Sequence, residues 1–394
     1  MTAFPGGLAR ARTILRERFE HPAFRIHQLK VLGPLLAGRH VLAVLPTGAG
    51  KSLCYQLPAL MAGGLTLVVS PLISLMQDQV GALRRRGIAA AYLNSLLGAD
   101  ARRRILDATL AGRLTLLYCA PEGLRALVRH LTRVERAVSL LAVDEAHCIV
   151  EWGNEFRPVY RRLGEYRYRL GDPATIALTG SATPATRDEI VQVLRIPRAD
   201  IVVTSFDRPN LQFRVERVRD DRERFARVRE LIRGAAGSII VYTPTRRLTE
   251  LVTRALLRLG VEAAPYHAGL RPETRRRVLR AFLGDRAPVV VATSAFGMGI
   301  DKPDVRRVLH WGPPRSLEAY YQEAGRAGRD GRRSECVIVW RPSDVEWTAA
   351  ATALRSYVET RVCRRRMLLA YFGERGAACS GCDVCGPGGR RPSP

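Results

Sequence analysis

Short, wholly apolar runs separated by longer amphipathic stretches recur along most of the chain. Strands of a parallel sheet covered on both faces read this way, because neither side faces water. Runs at 41–45, 65–70, 114–119, 140–143 and 176–179, each followed by helical or loop character, predict one α/β lobe. After a further apolar run at 201–203 comes Ser205-Phe206-Asp207-Arg208-Pro209-Asn210, whose Pro and Asn suit a connector better than a strand interior. Runs at 238–242, 263–266, 289–292, 305–310 and 336–340 then predict a second α/β lobe. Beyond Arg341 the strand pattern stops, and a helical stretch bearing Cys363 leads to three closely spaced cysteines. The expected organisation is a lobe over 1–204, a lobe over 205–340, a small helical piece over 341–385 and a disordered tail over 386–394.

Composition changes this picture in two respects. A formal net charge of +26 over 394 residues creates a field that draws polyanions, so phosphate backbones are the first partners to consider. No stretch approaches the roughly 18 consecutive apolar residues of a membrane helix, and no apolar signal segment opens the chain. A cytoplasmic protein without membrane contact is expected, and in that reducing compartment the eight cysteines read as thiols or metal ligands.

Candidate chemistry starts where the first strand runs into Pro46-Thr47-Gly48-Ala49-Gly50-Lys51-Ser52. Glycines there let backbone N–H groups turn toward a phosphate, Lys51 supplies a point charge for the β- and γ-phosphates, and the Ser52 hydroxyl suits Mg²⁺. The phosphate-loop pattern is met except at its first position, where Leu45 replaces glycine. A second strand ends in Asp144-Glu145-Ala146-His147. Asp144 at such a tip can share the Mg²⁺, and Glu145 can orient or deprotonate an attacking water. Cys363, Cys379, Cys382 and Cys385 are spaced for a closed tetrahedral Zn²⁺ site, with an iron–sulfur cluster or a disulfide pair as the alternatives. The other four cysteines lie on or beside apolar strands and read as buried thiols.

Thr-Gly-x-Gly-Lys-Ser followed by Asp-Glu-Ala-His resembles the superfamily 2 helicases. The stretch Cys148-Ile149-Val150-Glu151-Trp152-Gly153-Asn154-Glu155-Phe156-Arg157-Pro158 is similar to the aromatic-rich loop of the RecQ family. Phe24-Arg25-Ile26-His27-Gln28 resembles the family's adenine-recognition motif, Ser70 to Gln79 and Ala120-Pro121-Glu122 its strand-contacting motifs, and Ser181-Ala182-Thr183 the motif linking hydrolysis to lobe movement. Gln322-Glu323-Ala324-Gly325-Arg326-Ala327-Gly328-Arg329 resembles the motif that supplies arginine fingers, and the stretch from Ala292 to Asp301 one that touches nucleic acid and nucleotide. His21 stands where an adenine-stacking Tyr is usual. The interval between Cys363 and Cys379 is also filled much as in RecQ proteins.

That resemblance implies two tandem RecA-like parallel-sheet lobes and a small helical zinc-binding subdomain, with ATP, Mg²⁺ and Zn²⁺ as cofactors. It implies a DNA helicase of 3′→5′ polarity acting as a monomer on single-stranded and tailed duplex DNA in repair or recombination. Arg25, Gln28, the loop 47–52 and Gln322 would hold nucleotide; Lys51, Asp144, Glu145, His147, Arg326 and Arg329 would serve catalysis; Trp152, Phe156, Arg157 and Thr293 would meet nucleic acid. The individual roles of Thr293 and Asp301 are left open by the residues. An RNA helicase of the same superfamily and a DNA-binding or annealing protein with a silent nucleotide site are the competing readings. Because the chain ends just after the cysteines, without a winged helix or the small helical domain that often follows, weak or short-range unwinding beside robust DNA-stimulated ATPase is expected.

Overall fold

The computed structural model describes residues 4–46, 48–133, 137–153, 158–235, 237–297, 302–344, 352–376, 378–379 and 381–387; the side chain of Trp152 is outside them. The chain divides into two compact units, Met1–Ser205 and Phe206–Pro394.

In the first unit the strands are β1 (Val41–Val44), β2 (Leu65–Val69), β3 (Ala90–Leu93), β4 (Leu116–Cys119), β5 (Val138–Val143), β6 (Ala174–Thr179) and β7 (Asp200–Val203). They form a parallel sheet of order β3-β4-β2-β5-β6-β1-β7. Helices α1 (Gly7–Phe19), α2 (Ile26–Leu36), α3 (Leu53–Ala59), α4 (Ile73–Arg85), α5 (Ala99–Leu110), α6 (Pro121–Arg133), α7 (Cys148–Gly153), α8 (Leu163–Arg169) and α9 (Pro184–Leu194) accompany it. One face of β1, β4, β5 and β6 shares a continuous core with apolar residues of α1 to α4, among them Leu15, Val31, Leu57 and Met76. Burial on both faces accounts for the near-continuous apolar runs. β1, β6 and β5 lie side by side in that order, so the loops leaving their carboxyl ends share one edge of the lobe, where parallel sheets commonly bind ligands.

The second unit holds β8 (Leu211–Arg217), β9 (Ser238–Tyr242), β10 (Ala263–Tyr266), β11 (Val289–Ala292), β12 (Val305–Trp311), β13 (Ser334–Trp340), β14 (Gly381–Cys382) and β15 (Gly386–Pro387). Six strands pair in parallel as β10-β11-β9-β12-β13-β8; β14 extends the sheet from β8, and β15 closes it antiparallel. Its helices are α10 (Asp221–Arg233), α11 (Arg246–Arg258), α12 (Pro272–Leu283), α13 (Leu317–Ala324), α14 (Thr352–Glu359) and α15 (Arg364–Tyr371).

Five strands depart from the sequence expectation: β3, β7 and β8, and the short β14 and β15 beyond Arg341, where no strand is expected. β8 escapes detection because it carries Arg214 and Glu216, which pair with each other at 2.6 Å, instead of a fully apolar run. β3 is a short edge strand, and β7 joins the first sheet next to β1 instead of only leading into the connector. The expected disordered tail also needs correction at its start, because Gly386 and Pro387 pair with Cys382 and Gly381. Among the described residues, no helix is long and apolar enough to cross a membrane.

Candidate functional site

The turn after β1 takes its shape from Gly48 (φ 82°) and Gly50 (φ 75°), backbone values that other residues rarely adopt. A Cβ on Gly50 would lie 2.7 Å from Gln28 Nε2, so any side chain there would displace the Gln28 amide. Gln28 is buried at 5% exposure and fully engaged. Its Oε1 accepts from the Arg25 backbone N–H at 2.9 Å, and its Nε2 donates to the carbonyls of Ala49 and Gly50 at 3.4 Å each. Arg25 Nη1 donates to the Gly48 carbonyl at 2.6 Å, and a His27 ring nitrogen lies 2.8 Å from the Ala49 carbonyl. The motif expected to read adenine therefore splints the phosphate loop in this structure. Lys51, half-buried, donates to the Leu45 carbonyl at 3.3 Å, and Ser52 stands at the start of α3. Thr47 lies outside the described residues.

Asp144 follows β5 and is pinned by its N–H donating to the Val69 carbonyl at 2.9 Å. Burial and the Glu145 carboxylate push Asp144 up to about 7, against the pull of Lys51 and of the Glu145 N–H. A divalent cation would reverse this, since it stabilises the ionised form, and Ser52 with Asp144 offers the hard oxygen donors that Mg²⁺ prefers. Glu145 occupies the left-handed backbone region (φ 49°), unusual for a residue with a side chain. His147, 3% exposed, has Nδ1 2.9 Å from Thr179 Oγ1 and 3.4 Å from Glu145 Oε2. Thr179 Oγ1 donates to the Ser181 carbonyl at 3.0 Å, so the Asp-Glu-Ala-His turn is wired to the Ser-Ala-Thr segment after β6. Thr183 caps α9 by accepting from the Thr186 N–H. The backbone of Trp152 belongs to α7, whereas its side chain, Phe156 and Arg157 are outside the described residues.

In the second unit Arg326 is buried at 8% exposure, and a Cβ on Gly297 would come within 3.1 Å of its Nη2. Arg326 and Arg329 both act electrostatically on the Tyr242 hydroxyl, whose pKa is nevertheless raised because burial dominates. Gln322 is half-buried on α13. The carbonyls of this arginine loop are clamped from the connector. Arg208 Nη2 donates to Ala327 and Gly328 at 2.9 and 3.0 Å, and Asn210 Nδ2 donates to Gly328 at 2.8 Å. In sequence Arg208 and Asn210 look like parts of a connector, and their partners more than a hundred residues away leave no local signal. At the carboxyl ends of β9, β10 and β11 stand Arg246, His267 with Gly269, and Thr293. Gly269 leaves room for Arg246, whose Nη1 would lie 3.2 Å from a Cβ there, and the Thr293 N–H donates to the Tyr266 carbonyl at 3.1 Å. Asp301 is outside the described residues.

The Sγ atoms of Cys363, Cys379, Cys382 and Cys385 all lie within 4.8 Å of one another. A tetrahedron of Zn–S bonds needs sulfur separations of about 3.8 Å, so four thiolates gathered this near one another suit that ion. Without an ion, N–H groups of Arg364, Cys385 and Val384 outweigh burial and hold Cys382 below its ordinary range, whereas burial and the neighbouring thiols raise Cys379 and Cys385, so a cation is what would ionise the set together. Arg365, 1% exposed, ties the helix after Cys363 to the connector: it pairs with Asp207 and donates to the carbonyls of Arg208 and Leu211 at 2.9 and 2.6 Å. The remaining cysteines are buried, and burial pushes Cys54, Cys119 and Cys336 up to about 12, which makes them inert.

Comparison with known proteins agrees with this geometry. Family models for the DEAD/DEAH box helicase, the helicase conserved C-terminal domain and the RecQ zinc-binding region match residues 25–190, 223–331 and 345–386. The four cysteines are thus a zinc site. Among solved structures, the DUF1998 helicase MrfA bound to DNA and AMPPNP superposes with a TM-score of 0.71 over 87% of this chain and 51% of its own, at 21% identity, which supports the fold. The chain is 40% identical to the ATP-dependent DNA helicase RecQ of Haemophilus influenzae over 95% of its length, and spans 63% of that relative. It is 41% identical to the ATP-dependent DNA helicase RecQ of Bacillus subtilis over 96% of this chain and 67% of that protein. With that breadth of identity added to two parallel-sheet lobes and the tetrathiolate cluster, the chain belongs to the RecQ family.

Proposed function

We propose that this chain is an ATP-dependent DNA helicase that translocates 3′→5′ along one strand, as a cytoplasmic monomer, in DNA repair or recombination. The observation that carries the reading is the wiring around Glu145: its carboxylate lies 3.4 Å from Nδ1 of His147, which is joined through Thr179 to the Ser-Ala-Thr segment, at the same sheet edge as the phosphate loop.

Backbone N–H groups of Thr47, Gly48, Ala49 and Gly50 would cradle the phosphates. Lys51 would leave the Leu45 carbonyl for the β- and γ-phosphate oxygens, and Gln28 would exchange its loop carbonyls for the adenine edge, with Arg25 beside it. Ser52 and Asp144 would hold Mg²⁺, which neutralises phosphate charge when bound. Glu145 orients the attacking water and accepts its proton, while His147 keeps the carboxylate aimed. Gln322, Arg326 and Arg329, in a stretch that resembles an arginine-finger motif, would supply donors and positive charge for a γ-phosphoryl. Trp152 and Phe156 would stack on bases and Arg157 bridge toward the nucleotide; Thr293 and Arg246 would hold the strand by its phosphates, independently of sequence.

The test is unwinding of 3′-tailed and 5′-tailed duplexes with ATP, with Lys51→Ala as control, beside ATPase stimulation by single-stranded DNA and RNA. Unwinding confined to 3′-tailed DNA, abolished in the control, is expected. Preferential stimulation by RNA would sink the DNA assignment, and equal activity of Glu145→Gln and the parent would sink the motor itself.

A further inference from the structure

Beneath the phosphate loop lies a polar chain that the nucleotide chemistry just described does not use. Tyr55 and Gln56 on α3, Tyr118 on β4 and Gln79 on α4 meet inside the first unit. Tyr55 and Tyr118 are 0% and 1% exposed, and Gln56 is 7% exposed. Gln56 Nε2 donates to Gln79 Oε1 at 2.7 Å and to the Tyr118 hydroxyl at 3.1 Å, spending both hydrogens. The Tyr118 hydroxyl donates to the Tyr55 hydroxyl at 3.4 Å, and the two rings meet edge to face at 6.2 Å. Tyr55 in turn meets the Ser52 side chain and lies in the field of Asp144.

Leucine and phenylalanine would fill the same space without the cost of desolvating two hydroxyls and the Gln56 amide. A buried polar chain is tolerable only when its members satisfy one another, and it then specifies one arrangement of the elements it joins. Here the ends differ in task. Ser52 closes the phosphate loop, whereas α4 grows from the segment after Ser70 that resembles a strand-contacting motif.

We propose that Gln79, Gln56, Tyr118 and Tyr55 form a buried relay that ties contact of single-stranded DNA at α4 to the orientation of Ser52, coupling DNA affinity to nucleotide affinity. These are positioning residues acting through Ser52, and the inference rests on the helicase reading above. A shift of α4 pulls Gln79 and with it Gln56, whose Nε2 also holds the Tyr118 hydroxyl; Tyr118 bears on Tyr55, and Tyr55 on the Ser52 side chain.

Binding reports on this without turnover. The dissociation constant of a fluorescent ADP with Mg²⁺ is measured with and without saturating oligothymidylate in the parent, Gln79→Met, Tyr118→Phe and the double variant. By linkage the ratio of the two constants equals the reciprocal effect of nucleotide on DNA affinity, which gives an internal check. Each single variant should lower the ratio by about fivefold while leaving the DNA-free constant within about twofold, and the double variant should lose no more than either single, as links of one chain. Gln79→Met conserves volume at a half-buried site, so it stays folded if Tyr118→Phe does not. A parental ratio of one, or an unchanged ratio in folded Gln79→Met, overturns the relay, even if both constants shift together. Coupling that responds as expected in a protein that unwinds nothing would leave the relay standing and overturn the helicase reading instead.

Discussion

Glu145 carries the proposed general base on a backbone that glycine would occupy more comfortably. The left-handed φ of 49° costs on the order of 1 kcal/mol for a side-chain-bearing residue, and the site keeps it because the turn aims the carboxylate at His147. Glu145→Gly and Glu145→Gln should both cut steady-state ATP turnover by about 10²–10⁴-fold with nucleotide binding retained. In denaturant unfolding the glycine variant should be the more stable of the two by about 1 kcal/mol. Equal stability would mean that the turn is unstrained. His40 supplies a pH-dependent counterpart. Burial, then the Arg167 guanidinium, lowers its pKa from 6.5 to about 4. Below pH 6.5 the unfolded chain takes up a proton that the folded chain refuses until about pH 4. The stabilisation is therefore complete above pH 6.5 and lost as pH falls through about 4. His40→Gln should flatten the unfolding midpoint across that window, and an unchanged acid limb would remove His40 as its cause.

At the scale of elements, the connector after β7 is a clamp. Arg208 and Asn210 fix the carbonyls that shape the Arg326 and Arg329 loop, and Arg365 fixes the connector from α15. Arg208→Ala should leave nucleotide affinity within about twofold and lower turnover by up to about a hundredfold, because misplacing a charged group by an ångström suffices for that loss. A matching loss of affinity would instead indicate general disruption of the lobe. Chelation of zinc, or Cys382→Ser, should expose 352–387 to protease, since β14 pairs with β8 at Cys382, beside the Asp383 contacts to Phe213 and Val215. These dependencies show which parts of the site can be read from sequence. Phosphate binding needs consecutive backbone N–H groups, so Gly48 to Ser52 form a local pattern; a zinc hairpin likewise compresses three cysteines into seven residues. The Arg208 clamp spans 117 to 120 positions and the Arg365 brace 154 to 158, with no local pattern to betray them. Gln28 was legible as a motif member but not as a splint, since its loop carbonyls are 21 and 22 positions away. β8 stayed hidden because ion pairs took the place of apolar residues on its exposed face.

For the whole molecule the governing quantity is the excess of 63 basic over 37 acidic residues. Several arginines are spent internally: Arg224 pairs with Asp344, Arg364 with Asp383 and Arg365 with Asp207. Such pairs consume acids one for one, so the net +26 stays available at the surface. On the proposed reading this field raises affinity for any nucleic acid, and recognition of a particular strand falls to the few side chains at the strand ends. The two contributions separate by salt. The logarithm of the association constant for oligothymidylate should fall linearly with the logarithm of salt concentration, with a slope of about −0.7 for each phosphate neutralised. Arg246→Ala should reduce that slope by about 0.7 and weaken oligothymidylate and oligoadenylate equally, because a phosphate contact carries no base information. Arg229→Ala, on α10 and outside the proposed strand surface, should lower affinity slightly through the field while leaving the slope unchanged. If the two variants change the slope alike, binding is a property of the diffuse charge alone, and Arg246 loses its assignment as a grip on the strand.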